Sequence, residues 1–300
     1  VIEDITREKR LRNTMSRYMS KAVVDQLLAS GEVELGGTGR DVSVLFSDIR
    51  GFTSISERLG AKETVALLNE YFTDMVDIVF AHNGVLDKYI GDMIMAVFGS
   101  VLQTEEDASN AVTVGNKMLT ALHQLNRRRA ERGDEAIRIG VGISTGNVVA
   151  GNIGSLKRME YTVVGDRVNL AERLESANKF YGTSILICDA TWEAVRHHAA
   201  AREIDLIRVR GRDRPVAIHE ALGHHSEDSF PHREEALAAF SEGLLRYRRR
   251  DWAGAEHCFS AALAANPEHG PSKIYFERCR IYGSTPPPAT WDGVWTMPNK

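Results

Sequence analysis

Two acids in this sequence stand where carboxylates can meet a metal ion and a phosphate. Val42-Ser43-Val44-Leu45-Phe46 is a short, β-branched apolar run followed by Ser47-Asp48-Ile49-Arg50-Gly51. It reads as a buried strand. Gly51 breaks it, and Ser54 with Glu57 offers a capping pair for a helix. Asp48 thus falls between a strand end and a helix N-terminus, whose unpaired amides attract phosphate. A carboxylate there can hold Mg²⁺, which prefers oxygen ligands and substrate phosphates. By itself such an Asp also reads as a cap or loop residue. The second acid is Asp92, at the tip of a hairpin expected from residues 85–98 around Gly91-Asp92. Alone it is a solvated turn residue. If its strands neighbour the first, the two carboxylates can hold two metal ions in the arrangement used for in-line attack at phosphorus.

Positioning these acids requires an alternating αβ core. Residues 61–82 predict a helix with Val65, Leu68, Phe72, Met75, Val76 and Val79 on one face and Gly84 as its stop. A second helix is predicted over residues 105–129, ending in Arg127-Arg128-Arg129, a run suited to a solvent-facing helix C-terminus. Residues 137–143 alternate as a strand, and the glycines at 146, 151 and 154 mark turns and close backbone approach. They do not spell GxGxxG or a P-loop. A strand over 161–164, a helix over 166–178 and strands over 185–188 and 216–221 follow. The N-terminal stretch to about residue 40 predicts an amphipathic helix through Leu11, Met15, Tyr18, Met19, Val23, Val24, Leu27 and Leu28, packed on its own domain or paired with a second copy. Residues 230–300 are Ala-rich and helical, with a Pro-rich end at Pro286-Pro287-Pro288.

Composition narrows the function classes. The chain has 300 residues, enough for one or two domains, and 43% hydrophobic content, ordinary for a globular core. A formal net charge of -4 argues against generic nucleic-acid binding, which needs a basic surface. Cys188, Cys258 and Cys279 form no CxxC pattern and indicate neither a disulfide framework nor a zinc site, which fits a reducing, cytoplasmic setting. No apolar run is long enough to span a bilayer, and the charged start lacks a signal-peptide core. The chain opens on Val1 and reads as a fragment or a processed form.

Three separated motifs, Phe46 to Thr53, Lys88 to Asp92 and Tyr161 to Arg173, resemble in order the catalytic domain of class III adenylyl and guanylyl cyclases. The resemblance covers about residues 41–222 and implies an α+β, ferredoxin-like cyclase domain with helices on one face of the sheet. It implies that Asp48 and Asp92, with the backbone carbonyl of Ile49, hold two ions of Mg²⁺ or Mn²⁺ per site. It assigns ribose positioning to Asn169 and transition-state charge to Arg173. These two are four apart on a helix and share a face. Lys88 matches the adenine-reading lysine, and Thr162 stands where many relatives carry Asp, as in a Thr-type subgroup. Arg210 resembles a phosphate-contacting lysine, and Phe52 and Thr53 fall among the substrate-binding positions. Lys88 also reads as an ion-pair partner of Asp87 or Asp92.

The implied reaction is conversion of ATP to cyclic AMP and pyrophosphate at the interface of a homodimer with two equivalent sites. A guanylyl or dual-specificity cyclase, and an inactive nucleotide-binding dimerisation module, are the alternatives. Residues 1–10 resemble the last strand and exit helix of PAS-type sensors, which makes 1–40 a helical linker from an upstream sensor. Ala255, Phe259, Ala262 and Pro267, preceded by Phe240 and Tyr247, have the spacing of part of one tetratricopeptide repeat. A single repeat cannot bury its own apolar face, so the helices of 230–300 are expected to pack on the cyclase domain or on a partner.

Overall fold

The computed structural model describes residues 36–155, 157–208 and 215–296. The helix expected through Leu11 to Leu28, the PAS-like opening and Arg210 lie outside them.

Strand β1 (Gly36–Ile49) forms the middle of the sheet, and its residues 42–47 are buried without a break. Unbroken burial along a strand means both faces are covered. Val42, Val44 and Phe46 point into one apolar layer, Leu45 and Ile49 into the other. β1 pairs antiparallel with β3 (Met93–Phe98) on one side and β4 (Ile139–Ser155) on the other, and β2 (Val85–Ile90) extends the sheet beyond β3. With β5 (Arg158–Val164), β6 (Ile185–Cys188), β7 (Ala201–Arg208), β8 (Val216–Ala221) and β9 (Trp295–Thr296), the described residues form one sheet ordered β2-β3-β1-β4-β6-β8-β7-β9. β5 hairpins onto the far half of β4. β1 begins at Gly36, so residues 36–40 are strand where a helical linker was expected.

Helices α1 (Phe52–Leu59), α2 (Ala61–Ala81), α3 (Asp107–Glu131), α4 (Asp166–Tyr181) and α5 (Asp189–Val195) surround the sheet. They cover both faces, not one. Leu67, Tyr71, Met75 and Val79 of α2 pack with Val112, Met118 and Leu122 of α3 against Leu45 and Ile49. Ala171 of α4 packs against Val42, Val44 and Phe46 on the opposite face. The α2 stripe also differs from the expected one, since Val65 is exposed and Leu67 and Tyr71 carry the burial.

Three further expectations are corrected. The Ser54–Glu57 capping pair is not used, because α1 starts two residues earlier, at Phe52, with Gly51 at its N-cap in a left-handed conformation (φ 71°) that favours glycine. The glycines at 146–154 make no turn, and β4 runs straight through them. The close approach also expected of them is there: a Cβ on Gly151 would run into the Gly36 carbonyl oxygen. Of the arginine run, Arg128 binds Asp74 on the surface, but Arg129 is buried and donates to the Glu135 carbonyl at 2.9 Å.

α6 (Arg233–Arg248), α7 (Trp252–Ala265) and α8 (Gly270–Ser284) enclose a cluster of Phe240, Tyr247, Ala255, Phe259, Ala262 and Tyr275. They pack on the sheet of the same chain. Tyr275 donates to the Ile204 carbonyl at 3.0 Å, and Arg278 reaches Asp205 at 2.7 Å. Arg202 contacts both Glu220 and His269, the residue that caps α8.

This junction is acid-sensitive. Burial, aided by Arg202, holds the His269 imidazole down to about 3, and burial with His225 does the same to His224. The unfolded chain takes up these protons near 6.5, so the stability from the neutral rings is complete above that pH and is lost as pH falls from 6.5 toward 3. Asp48, pushed up to about 7, acts in the opposite sense, so the parent must be compared with a variant. His269→Asn keeps a capping acceptor. The parent's Tm advantage over it is expected to be largest above pH 7 and to shrink steadily to pH 5. A gap that does not change with pH would count against the assignment.

Candidate active site

The register that joins β1 to the β2–β3 hairpin brings the two acids together. Ser47 pairs with Ile94, so the hairpin turn lies beside the end of β1. Gly91 makes that turn with φ of 66°, a conformation that favours glycine. The Ile49 amide donates to Asp92 Oδ2 at 3.2 Å, which sets the Asp92 carboxyl beside that of Asp48. The Ile49 side chain is in the core, which leaves only its backbone for a ligand.

Asp48 is pushed up to about 7, first by burial, then by Asp92 and by Glu175 of α4. Apposed carboxylates with no cation between them are disfavoured in the charged form, and an oxygen donor set of this kind suits a hard divalent ion. Among the described residues no three His, Cys, Asp or Glu groups converge on a metal. Asp48 and Asp92 with the Ile49 carbonyl could hold such an ion, the rest of its shell coming from outside these groups.

A second cluster forms midway along β2. Lys88 Nζ lies 2.9 Å from Glu160 and 3.3 Å from Asp87, whose side chain is buried. Thr162 on β5 donates its hydroxyl to Asp87 at 2.8 and 2.9 Å. Burial pushes Asp87 up, while the Thr162 hydroxyl and the Lys88 ammonium draw it back. Burial lowers the Lys88 ammonium, but Glu160 and Asp87 outweigh that and raise it. Lys88 thus makes the ion pair with Asp87 and not with Asp92, and its ammonium shares the Asp87 carboxylate with the Thr162 hydroxyl.

On α4, Leu170, Leu174, Ala177 and Tyr181 are buried, Arg173 is half-buried and Asn169 is exposed at the edge of that face. Both polar groups lie where a ligand can reach them. Phe52 packs against the core next to α2 and α3, and Thr53 is exposed at the start of α1.

Three participants were not read from the sequence. Glu175 is a buried acid on the apolar side of α4, a misfit that its position beside Leu174 and Asn178 could have flagged. Glu160 carries no sequence signal. Asp87 was noticed only as a partner for Lys88, because the bulge that aims it at Thr162 exists only once β2 and β3 pair.

A strand-end carboxylate pair and a Lys–Asp–Thr cluster thus share one α+β sheet. Residues 37–220 match the family described as adenylate and guanylate cyclase catalytic domain, and the chain belongs to that family. Among curated relatives, the terminal-differentiation-specific adenylate cyclase of Dictyostelium discoideum is 30% identical over 281 residues, 92% of this chain and 13% of that protein. Adenylate cyclase 1 of Rhizobium meliloti is 32% identical over 213 residues, 70% of this chain and 32% of that one. The chain spans less than half the length of these relatives. The crystal structure of the adenylyl cyclase CyaB from P. aeruginosa superimposes with a TM-score of 0.59 at 36% identity, covering 65% of this chain and 99% of that one. The guanylyl cyclase Cya2 gives 0.57 at 41% identity, covering 63% and 95%.

Proposed function

We propose that this chain converts ATP to 3′,5′-cyclic AMP and pyrophosphate as the output domain of a signalling protein. The observation that carries the proposal is that one chain holds both halves of the required chemistry: Asp48 beside Asp92, and Lys88 and Thr162 gathered on the one Asp87 carboxylate. In the reaction the ribose 3′-oxygen forms a bond to the α-phosphorus, the bond to the departing pyrophosphate breaks, and the hydroxyl proton leaves. Asp48, Asp92 and the Ile49 carbonyl would hold two ions of Mg²⁺ or Mn²⁺, which polarise the hydroxyl and offset triphosphate charge when bound. Asn169 positions the ribose, and Arg173 meets charge developing on the phosphoryl oxygens. Arg210, Phe52 and Thr53 contribute to substrate binding. Lys88 donates to the adenine ring nitrogen and Thr162 accepts from the exocyclic amine, as in the Thr-type subgroup.

The site forms between two copies of the chain, so a homodimer carries two equivalent sites. Residues 36–222 form the catalytic unit, the residues before them link it to a PAS-like sensor, and 230–300 are a tetratricopeptide-like tail. A cytoplasmic setting is supported by free Cys188, Cys258 and Cys279. Among the described residues no helix is long and apolar enough to cross a membrane. A guanylyl or dual-specificity reading is favoured by one observation, the 41% identity to a guanylyl cyclase.

Mixing separately inactive Asp48→Ala and Arg173→Ala proteins tests the proposal. Random pairing puts one intact composite site in each mixed dimer, so about a quarter of the unmodified activity with ATP should return. Silence of the mixture despite demonstrated subunit exchange would place the site within one chain. Silence of the unmodified protein would favour the inert module, and equal turnover of GTP the dual enzyme.

A further inference from the structure

β2 carries one residue more than its partner strand. Leu86 pairs with Ala96 and Lys88 with Met95, which leaves Asp87 as a bulge between them. A bulge re-aims a side chain away from the ladder. Here it turns the Asp87 carboxylate, only 4% exposed, toward Thr162 and beside the Lys88 ammonium. One buried acid therefore anchors both groups assigned to the purine.

The consequence lies in the hydroxyl of Thr162. A threonine hydroxyl has one proton to give and two lone pairs to offer, and left to itself it can face either an amine or a carbonyl. In this chain both Asp87 oxygens lie within 2.9 Å of it and can only accept. The proton is spoken for, and what remains for a ligand is acceptor capacity. We propose that Asp87 is a specificity-determining positioning residue: it makes Thr162 acceptor-only, so that the site takes purines with an amine at C6 and rejects those with a carbonyl there. A carbonyl oxygen facing this hydroxyl would set acceptor against acceptor in a half-enclosed site, and leaving such groups unpaired costs about tenfold or more in selectivity. Thr162 thereby does the work of a carboxylate without its charge. The inference rests on the assignment of Lys88 and Thr162 as base-reading residues.

The experiment compares kcat/KM for ATP and inosine triphosphate, which carries a carbonyl at C6 and no amine at C2. It uses the unmodified protein and the Asp87→Asn, Thr162→Val and Lys88→Ala variants. An asparagine at 87 can donate to Thr162 and release its proton, so the ATP-to-ITP ratio is expected to narrow by about tenfold in Asp87→Asn. It should not vanish, since Lys88 still reads the ring nitrogen. Thr162→Val should narrow it similarly, and Asp87→Asn added to Thr162→Val should narrow it no further. A merely structural Asp87 would lower both substrates equally and leave the ratio alone; that result, with Thr162→Val still shifting the ratio, overturns the inference but leaves the base-reading assignment intact. If Lys88→Ala and Thr162→Val also leave the ratio unchanged, the assignment itself is wrong. Should Asp87→Asn fail to fold, the unmodified protein decides, because equal use of ITP and ATP overturns the proposal.

Discussion

Asp48→Asn is expected to fold, to melt no lower than the parent, and to form cyclic nucleotide at least about a thousandfold more slowly. The side chain keeps its shape and loses its charge. In the metal-free protein that charge faces Asp92 and Glu175 with burial against it, so its removal relieves repulsion. The same charge is what an incoming divalent ion needs. Without it one of two carboxylate ligands is gone, and the stabilisation of charge on a transferring phosphoryl group, worth several kcal/mol, goes with it. Activity and stability should therefore move in opposite directions, as expected where a site is strained for function. The measurements are a thermal melt above pH 7 in chelator and a turnover assay in Mg²⁺ or Mn²⁺. A variant that melts well below the parent, or keeps a tenth of its rate, would show that Asp48 is a structural cap after all.

Arg278→Met should cost about 3–5 kcal/mol and lower Tm by roughly 10 °C. Arg278 on α8 and Asp205 on β7 are both nearly excluded from water, with side-chain exposures of 6% and 2%. Tyr181, the last residue of α4, donates to the same Asp205 oxygen at 2.7 Å. The guanidinium also lies 3.9 Å over the Trp295 ring. Removing it leaves a buried carboxylate with only the neutral donors of the Tyr181 hydroxyl and the Leu206 amide against it and no counter-charge, which is far costlier than never having buried the pair. A double variant, Arg278→Met with Asp205→Leu, should recover a good part of the loss. Equal melting of parent and single variant would mean that this ion pair carries no stability, and that the tail helices are held by their other contacts, Tyr275 with Ile204 and His269 with Arg202 among them.

The sequence by itself determined the parts whose signal is local. The strand leading to Asp48, the hairpin tip at Asp92 and the Asn169–Arg173 spacing on α4 depend on periodicity and turn chemistry, which a few neighbouring residues specify. The motifs around them were enough to point to the family. The tertiary structure decided what depends on distant pairing. Only the pairing of β1 with β3 sets Asp48 against Asp92, and only the bulge in β2, reaching a residue 75 positions away, sets the Asp87 carboxylate against the Thr162 hydroxyl. The helices on both faces follow from burial of β1 on both sides, which a short apolar run does not distinguish from burial on one. Likewise β4 runs straight where its glycines predicted turns, because they accommodate the backbones of β1 and β5. Glycine marks close approach and a turn with the same letter, and only the neighbour across the sheet says which.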